Sequence, residues 1–156
     1  MALEIERKFL LKRIPEINWS NIYEIEQYYC QKPKLRIRHV YDLETQTRLF
    51  IQTKKTLLRP GVYEEDEETI SEKRFLTLQK TADRWIKKTR YVKAFPRVKW
   101  EVDSFDQFRL VVAEVEMPIE NYRLTIPSFI QDTLIKEVTE FPEFTNRNLA
   151  EVWPEK

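Results

Sequence analysis

Eight carboxylates and six cationic side chains recur at alternate positions along short β-favouring stretches of this 156-residue chain. The carboxylates are Glu4, Glu6, Glu65, Glu67, Glu101, Asp103, Glu114 and Glu116; the cations are Lys8, Arg36, Arg38, Lys54, Lys88 and Arg90. Side chains alternate across a strand with period two, so the members of each pair share one face. In Glu4-Ile-Glu6-Arg-Lys8 the other face carries Leu3, Ile5 and Phe9. Two carboxylates beside an ammonium suit a hard divalent cation held next to a phosphate. For any single strand a solvated charged face is the ordinary explanation. It fits Glu114-Val-Glu116 poorly, because that face continues back through Val112 and Leu110 and reads as buried. Two adjacent buried carboxylates without a cation would cost several kcal/mol each.

The elements that must position these groups are mostly strands. Alternation and β-forming residues predict strands over residues 3–11, 23–30, 35–41, 48–54, 62–70, 85–94, 98–105 and 109–117. The period changes over 71–83, where Ile70, Phe75, Leu78 and Ala82 form one helical stripe and Ser71 is a cap. Residues 118–134 read as helical in pieces, with Pro127 opening the second. A short extended stretch over 137–139 and a last helical turn over 146–152 complete the expectation. About eight antiparallel strands tend to close into a barrel. If the charged faces point inward the lumen must be wet, and the apolar faces point outward under the helices. The expected fold is therefore mainly β (α+β): an eight-stranded antiparallel β-barrel tunnel in one domain, residues 1–156, with helices covering the outside.

Composition narrows the functions available. Basic and acidic residues number 27 and 26, so there is no net basic field to recruit nucleic acid. The sole glycine, Gly61, excludes Gly-rich phosphate loops and dinucleotide fingerprints, leaving side chains to hold any phosphate. The single Cys30 excludes an internal disulfide and a cysteine zinc site, and reads as a small apolar filler. The start is too charged for a signal peptide and no long apolar run exists, so a cytoplasmic protein without membrane association is expected. Trp19, Trp85, Trp100 and Trp153 read as outer packing, and His39, sharing parity with Ile37, as outward-facing. Arg97 and Lys99 share parity with Glu101 and would line a tunnel mouth or face water.

In order along the chain, Glu4-Ile-Glu6-Arg-Lys8, Arg36-Ile-Arg38, Lys54, Glu65-Asp-Glu67, Lys88-Thr-Arg90, Glu101-Val-Asp103 and Glu114-Val-Glu116 resemble the charged set of the CYTH superfamily, the triphosphate tunnel metalloenzymes. Glu137-Val-Thr139 and Asn146-Arg-Asn-Leu-Ala150 also look like that family's C-terminal elements. The resemblance spans nearly the whole chain and is greatest to the short bacterial inorganic triphosphatases. Three features depart from the family pattern: Gln27-Tyr28-Tyr29 where Gln-Gly is common, Lys55 where glycine often follows the strand lysine, and Phe141-Pro-Glu-Phe144 in place of a basic stretch.

The resemblance implies Mg²⁺- or Mn²⁺-dependent hydrolysis of a linear triphosphate, with one or two ions. Glu4, Glu6, Glu114 and Glu116 are the first choice for the principal metal site, with Glu101 and Asp103 as further ligands. Arg36, Arg38, Lys54, Lys88 and Arg90 would grip phosphate oxygens, and Lys8 the phosphate nearest the metal. Glu65, Glu67 and Asp103 would serve a second ion or orient the attacking water. The partner is then a small-molecule triphosphate, handled by a monomer or homodimer. Alternatives are a class IV-type adenylate cyclase, a thiamine triphosphatase, and a polyphosphate- or nucleotide-binding module without turnover.

Overall fold

The computed structural model describes residues 2–154. Eight strands build the wall: β1 (Ala2–Leu11), β2 (Asn21–Gln31), β3 (Lys34–Asp42), β4 (Thr47–Arg59), β5 (Val62–Thr69), β6 (Ala82–Ala94), β7 (Lys99–Phe105) and β8 (Val111–Glu116). Their spatial order is β6-β2-β3-β4-β5-β1-β8-β7, and β7 pairs back onto β6, so an antiparallel sheet closes on itself. Closure removes the sheet edges that would otherwise invite other chains. Two short strands lie outside the ring: β9 (Leu134–Glu137) on β1 and β10 (Glu151–Val152) on β6.

The hydrophobic core sits mainly outside the barrel. Phe9, Leu11, Trp100, Val102, Ala113 and Val115 project outward from β1, β7 and β8, and Ile130 covers them. A second outer cluster joins Tyr28, Cys30 and Ile37 to Phe75 and Leu78 of helix α1 (Glu72–Gln79). A third apolar group, Tyr29, Ile86, Phe105 and Val112, has inward parity and plugs one end of the lumen with Leu149 and Ala150. The lumen is thus charged over part of its length only.

Ser71 caps α1 by accepting from the Arg74 amide at 3.1 Å. The helix is shorter than the expected 71–83, because Ala82 and Asp83 already pair within β6. The expected helix in the first part of 118–134 does not form. Leu124 and Ile126, two residues apart, both pack on the wall, which is the spacing of extended chain. Only α2 (Ser128–Gln131) follows Pro127. The extended stretch expected at 137–139 falls instead at β9, and the turn expected over 146–152 divides into α3 (Asn146–Leu149) and β10. Strand β4 runs five residues beyond the expected 48–54, reaching Arg59 in a long hairpin with β5.

Gly61 turns that hairpin with φ 78°, and its carbonyl accepts from the Glu6 amide at 2.8 Å. A Cβ there would lie 2.6 Å from the Glu6 carbonyl oxygen. The chain's one glycine stands where positive φ and close approach coincide. No helix among the described residues is long and apolar enough to cross a membrane.

Candidate active site

Register brings the charges together. Across β1 and β8, Glu6 faces Glu116 and Lys8 faces Glu114; across β7 and β8, Glu101 faces Glu114 and Lys99 faces Glu116. Across β4 and β5, Thr53 faces Glu67 and Lys55 faces Glu65. The result is a chamber of about 180 Å³ lined by charged and amide side chains alone. Seven acids line it: Glu4, Glu6, Glu65, Glu67, Glu101, Glu114 and Glu116. Arg36, Arg38, Lys55, Lys88, Arg90 and Lys99 supply the cations, with Gln27 and Asn146 between them.

Ion pairs hold the walls. Lys55 meets Glu4 at 2.7 Å, Lys8 meets Glu114 at 3.0 Å, Arg38 meets Glu67 at 3.2 Å and Arg90 meets Glu101 at 3.0 Å. Asp103 takes Arg90 in a two-pronged pair at 2.8 and 2.9 Å and Lys88 at 2.8 Å. Such forked pairs fix the guanidinium plane. Asn146, delivered by α3, accepts from Lys88 at 3.0 Å.

Proton affinities divide the acids into two groups. Burial would raise Glu114, but Lys8, Arg90 and Lys88 hold it well below the usual carboxylate range. Burial likewise works against Asp103, and Arg90 and Lys88 outweigh it. Glu4 is held at about 2 despite its burial, by a hydrogen bond with Glu65 and the charge of Lys55. Glu6 and Glu65 go the other way. Burial and then Glu114 push Glu6 up to about 8; burial and then Glu4 push Glu65 up to about 8. Among the bases, burial and the neighbouring Arg36 and Arg90 bring Arg38 down to about 10.

Three expected residues do not line the chamber. Lys54 is exposed and absent from the chamber; Lys55 occupies that place. The error was one of face: Ile51 and Thr53 point inward beside Arg38 and Arg36, while Phe50 and Gln52 point out under α1. Asp103 is absent from the chamber lining, and both its oxygens are taken by Arg90 and Lys88. Lys8 lies behind the acids, paired with Glu114 and donating to the Phe144 carbonyl at 3.2 Å, rather than on the chamber surface. The other expected residues, Glu4, Glu6, Arg36, Arg38, Glu65, Glu67, Lys88, Arg90, Glu101, Glu114 and Glu116, do line the chamber. Lys55, Gln27 and Asn146 were missed. Parity alone could not pick Lys55 over Lys54, and Asn146 comes from outside the wall, its one signal being the family-like segment that it opens.

The donor set fits a hard divalent cation. Glu65 Oε2 is buried without a hydrogen-bond partner, and burial together with neighbouring carboxylates pushes Glu6 and Glu65 up to about 8. Carboxylate oxygens are the ligands Mg²⁺ and Mn²⁺ prefer. No three acids among the described residues stand ready-clustered as ligands, since Lys55 holds Glu4 and Lys8 holds Glu114.

The structure is similar to that of the inorganic triphosphatase NE1496, with 25% identity, a TM-score of 0.59, and 94% of this chain and 96% of that one covered. The chain carries the triphosphate tunnel fold. The CYTH resemblance therefore stands, with the closed eight-stranded barrel as its structural basis. A protein of Pyrococcus horikoshii, PH1012, shares the fold at 19% identity with a TM-score of 0.56, covering 76% of this chain and 80% of that one. By sequence, an inorganic triphosphatase of Acetivibrio thermocellus is 40% identical over 67 residues, which span 42% of this chain and 40% of that protein. The match thus takes in less than half of the curated relative's length. No protein-family model matches the chain. Set against the tunnel fold, the all-polar lining is what separates this lumen from a ligand-binding barrel with an oily interior.

Proposed function

We propose that the chamber binds inorganic tripolyphosphate with one or two Mg²⁺ or Mn²⁺ ions and hydrolyses it to pyrophosphate and phosphate. The observation that carries this reading is the chamber lining, with charged and amide groups on every side. A pure anion receptor would gain nothing from seven carboxylates. Glu4, Glu6, Glu114 and Glu116, with Glu101, would hold the metal. When bound, it neutralises phosphate charge and acidifies coordinated water.

The chain's own groups do the positioning. Arg36 and Arg38 each keep a buried Nε without a partner, so both have donors to spare for phosphate oxygens. Arg90 and Lys88 are held rigid by Asp103, and Lys55 reaches in from β4. The attacking water adds to the terminal phosphorus, the bond to the bridging oxygen breaks, and pyrophosphate leaves with the electron pair. Glu65, with its unpartnered oxygen, would receive the water's proton once it is ionised. Phosphoryl transfer needs no protein nucleophile, only positioning and charge neutralisation.

The test is a panel of tripolyphosphate, thiamine triphosphate and ATP with Mg²⁺ or Mn²⁺. Phosphate release fastest from tripolyphosphate, and none in chelator, is expected. Cyclic AMP with pyrophosphate from ATP would replace this reading with a cyclase. Saturable binding without turnover under either ion would leave a binding module.

A further inference from the structure

No step of the proposed hydrolysis uses Asn146, although its side chain lines the chamber. Lys88 Nζ donates to its Oδ1 at 3.0 Å. An ammonium carries donors only, so the amide oxygen must face it and the NH₂ group must turn the other way. Among the described residues, that Nδ2 donates to nothing. Asn146, Arg36 and Lys55 line both the chamber and a neighbouring cavity of about 520 Å³, so they stand where the two spaces meet. Beyond them the cavity wall turns largely apolar, with Tyr29, Leu35, Leu57, Tyr63 and Pro142. An anion held in the chamber therefore meets these three side chains at that end.

We propose that Asn146 is a substrate-binding residue: Oδ1 holds Lys88 while Nδ2 donates to an oxygen of the phosphate at this end of the chamber. This rests on the reading of the chamber as a triphosphate site. The side chain is pinned from both directions along the chain. The Val138 amide donates to the Lys8 carbonyl at 2.8 Å and the Phe144 carbonyl accepts from Lys8 Nζ at 3.2 Å, which ties the segment to β1. Thr145 caps α3 by accepting from the Asn148 amide at 3.3 Å. Past the helix, the Ala150 carbonyl accepts from Arg84 at 3.0 Å, which ties the segment to β6. A donor fixed before binding adds no ordering cost when the anion arrives. Being neutral, it supplies hydrogen bonds at the junction without the repulsion that a further cation beside Arg36 and Lys55 would bring.

The experiment measures kcat/KM for phosphate release from tripolyphosphate in Mg²⁺ with Asn146→Ala, with Asn146→Asp, and with Asn146→Ala added to Lys88→Met. Aspartate matches asparagine in shape and still accepts from Lys88, but once ionised it cannot donate to phosphate. With melting temperatures unshifted, Asn146→Ala should lower kcat/KM about tenfold and Asn146→Asp about 100-fold. On the Lys88→Met background the tenfold loss should persist, because the amide reaches the anion directly and not through the lysine. Wild-type activity in Asn146→Ala, an aspartate variant at least as active as the alanine variant, or a loss that vanishes once Lys88 is replaced would sink this inference and leave the chamber reading intact. Absence of phosphate release from tripolyphosphate by wild-type protein would take both down.

Discussion

Strand β7 carries two environments on one backbone. Trp100 and Val102 point outward and pack with Phe9 and Val115; Glu101 and Asp103, one residue away, point inward and meet Arg90. The outward set is buried with 0–1% exposure and no polar burden. The inward set is also largely shielded, but each charge there depends on another. Outside, burial of apolar area supplies stability at roughly 25 cal/mol per Å². Inside, desolvation opposes every charge, and pairing recovers only part of it. The same sheet is therefore a folding device on one face and a binding device on the other, with the first supporting the second.

Substitutions on the two faces should separate these roles. Trp100→Ala opens a void in the outer cluster and should cost about 3–5 kcal/mol, read as a large fall in denaturation midpoint. A loss below about 1 kcal/mol would mean the outer wall is not the source of stability. Next in size is the pair of adjacent lysines. Lys55→Gln should lower tripolyphosphate turnover by about 10²-fold with the melting temperature nearly unchanged, whereas Lys54→Gln should behave as wild type. Reversal of the two would show that the register of β4 is wrong by one residue.

The smallest effect is in pH. Glu6 and Glu65 titrate at about 8 in the folded metal-free protein, above the 4.5 of the unfolded chain. Between those values the folded state holds the more protons, so stability should fall as pH rises from 4.5 to 8 in chelator. Glu4 and Glu114, shifted the other way, are ionised in both states over that window and contribute no slope. Glu6→Gln should flatten part of the fall, and Mg²⁺ should do the same. A melting temperature that climbs over this range would contradict the arrangement of the acids.

Much of this was legible because strand parity is a local property. Glu4, Glu6, Arg36, Arg38, Lys88, Arg90, Glu114 and Glu116 each needed only an alternating neighbour to be assigned a face. Lys54 and Lys55 could not be separated that way. On β4 the apolar residues do not all lie on one face: Ile51 turns into the lumen and Phe50 out, so only pairing with β3 and β5 decides. Asp103 has the expected parity, but parity does not count partners, and Arg90 and Lys88 take both its oxygens. The plug of Tyr29, Ile86, Phe105 and Val112 went unseen because inward apolar residues look like outward ones. Asn146 and Arg147 depend on where the C-terminal segment docks, which is set by contacts with Lys88 and Tyr29 far away in sequence.

The pairing of β1 with β8 has a kinetic corollary. Glu6 lies opposite Glu116 and Lys8 opposite Glu114, so the ring is sealed by a contact spanning most of the polypeptide. Such distant pairings form slowly, because loop-closure entropy is lost before any contact is gained. Local hairpins such as β2–β3 and β4–β5 can assemble early, bringing Arg36, Arg38, Lys55, Glu65 and Glu67 into place as an open trough. Until the first and eighth strands meet, that trough has cations but only part of its acidic complement.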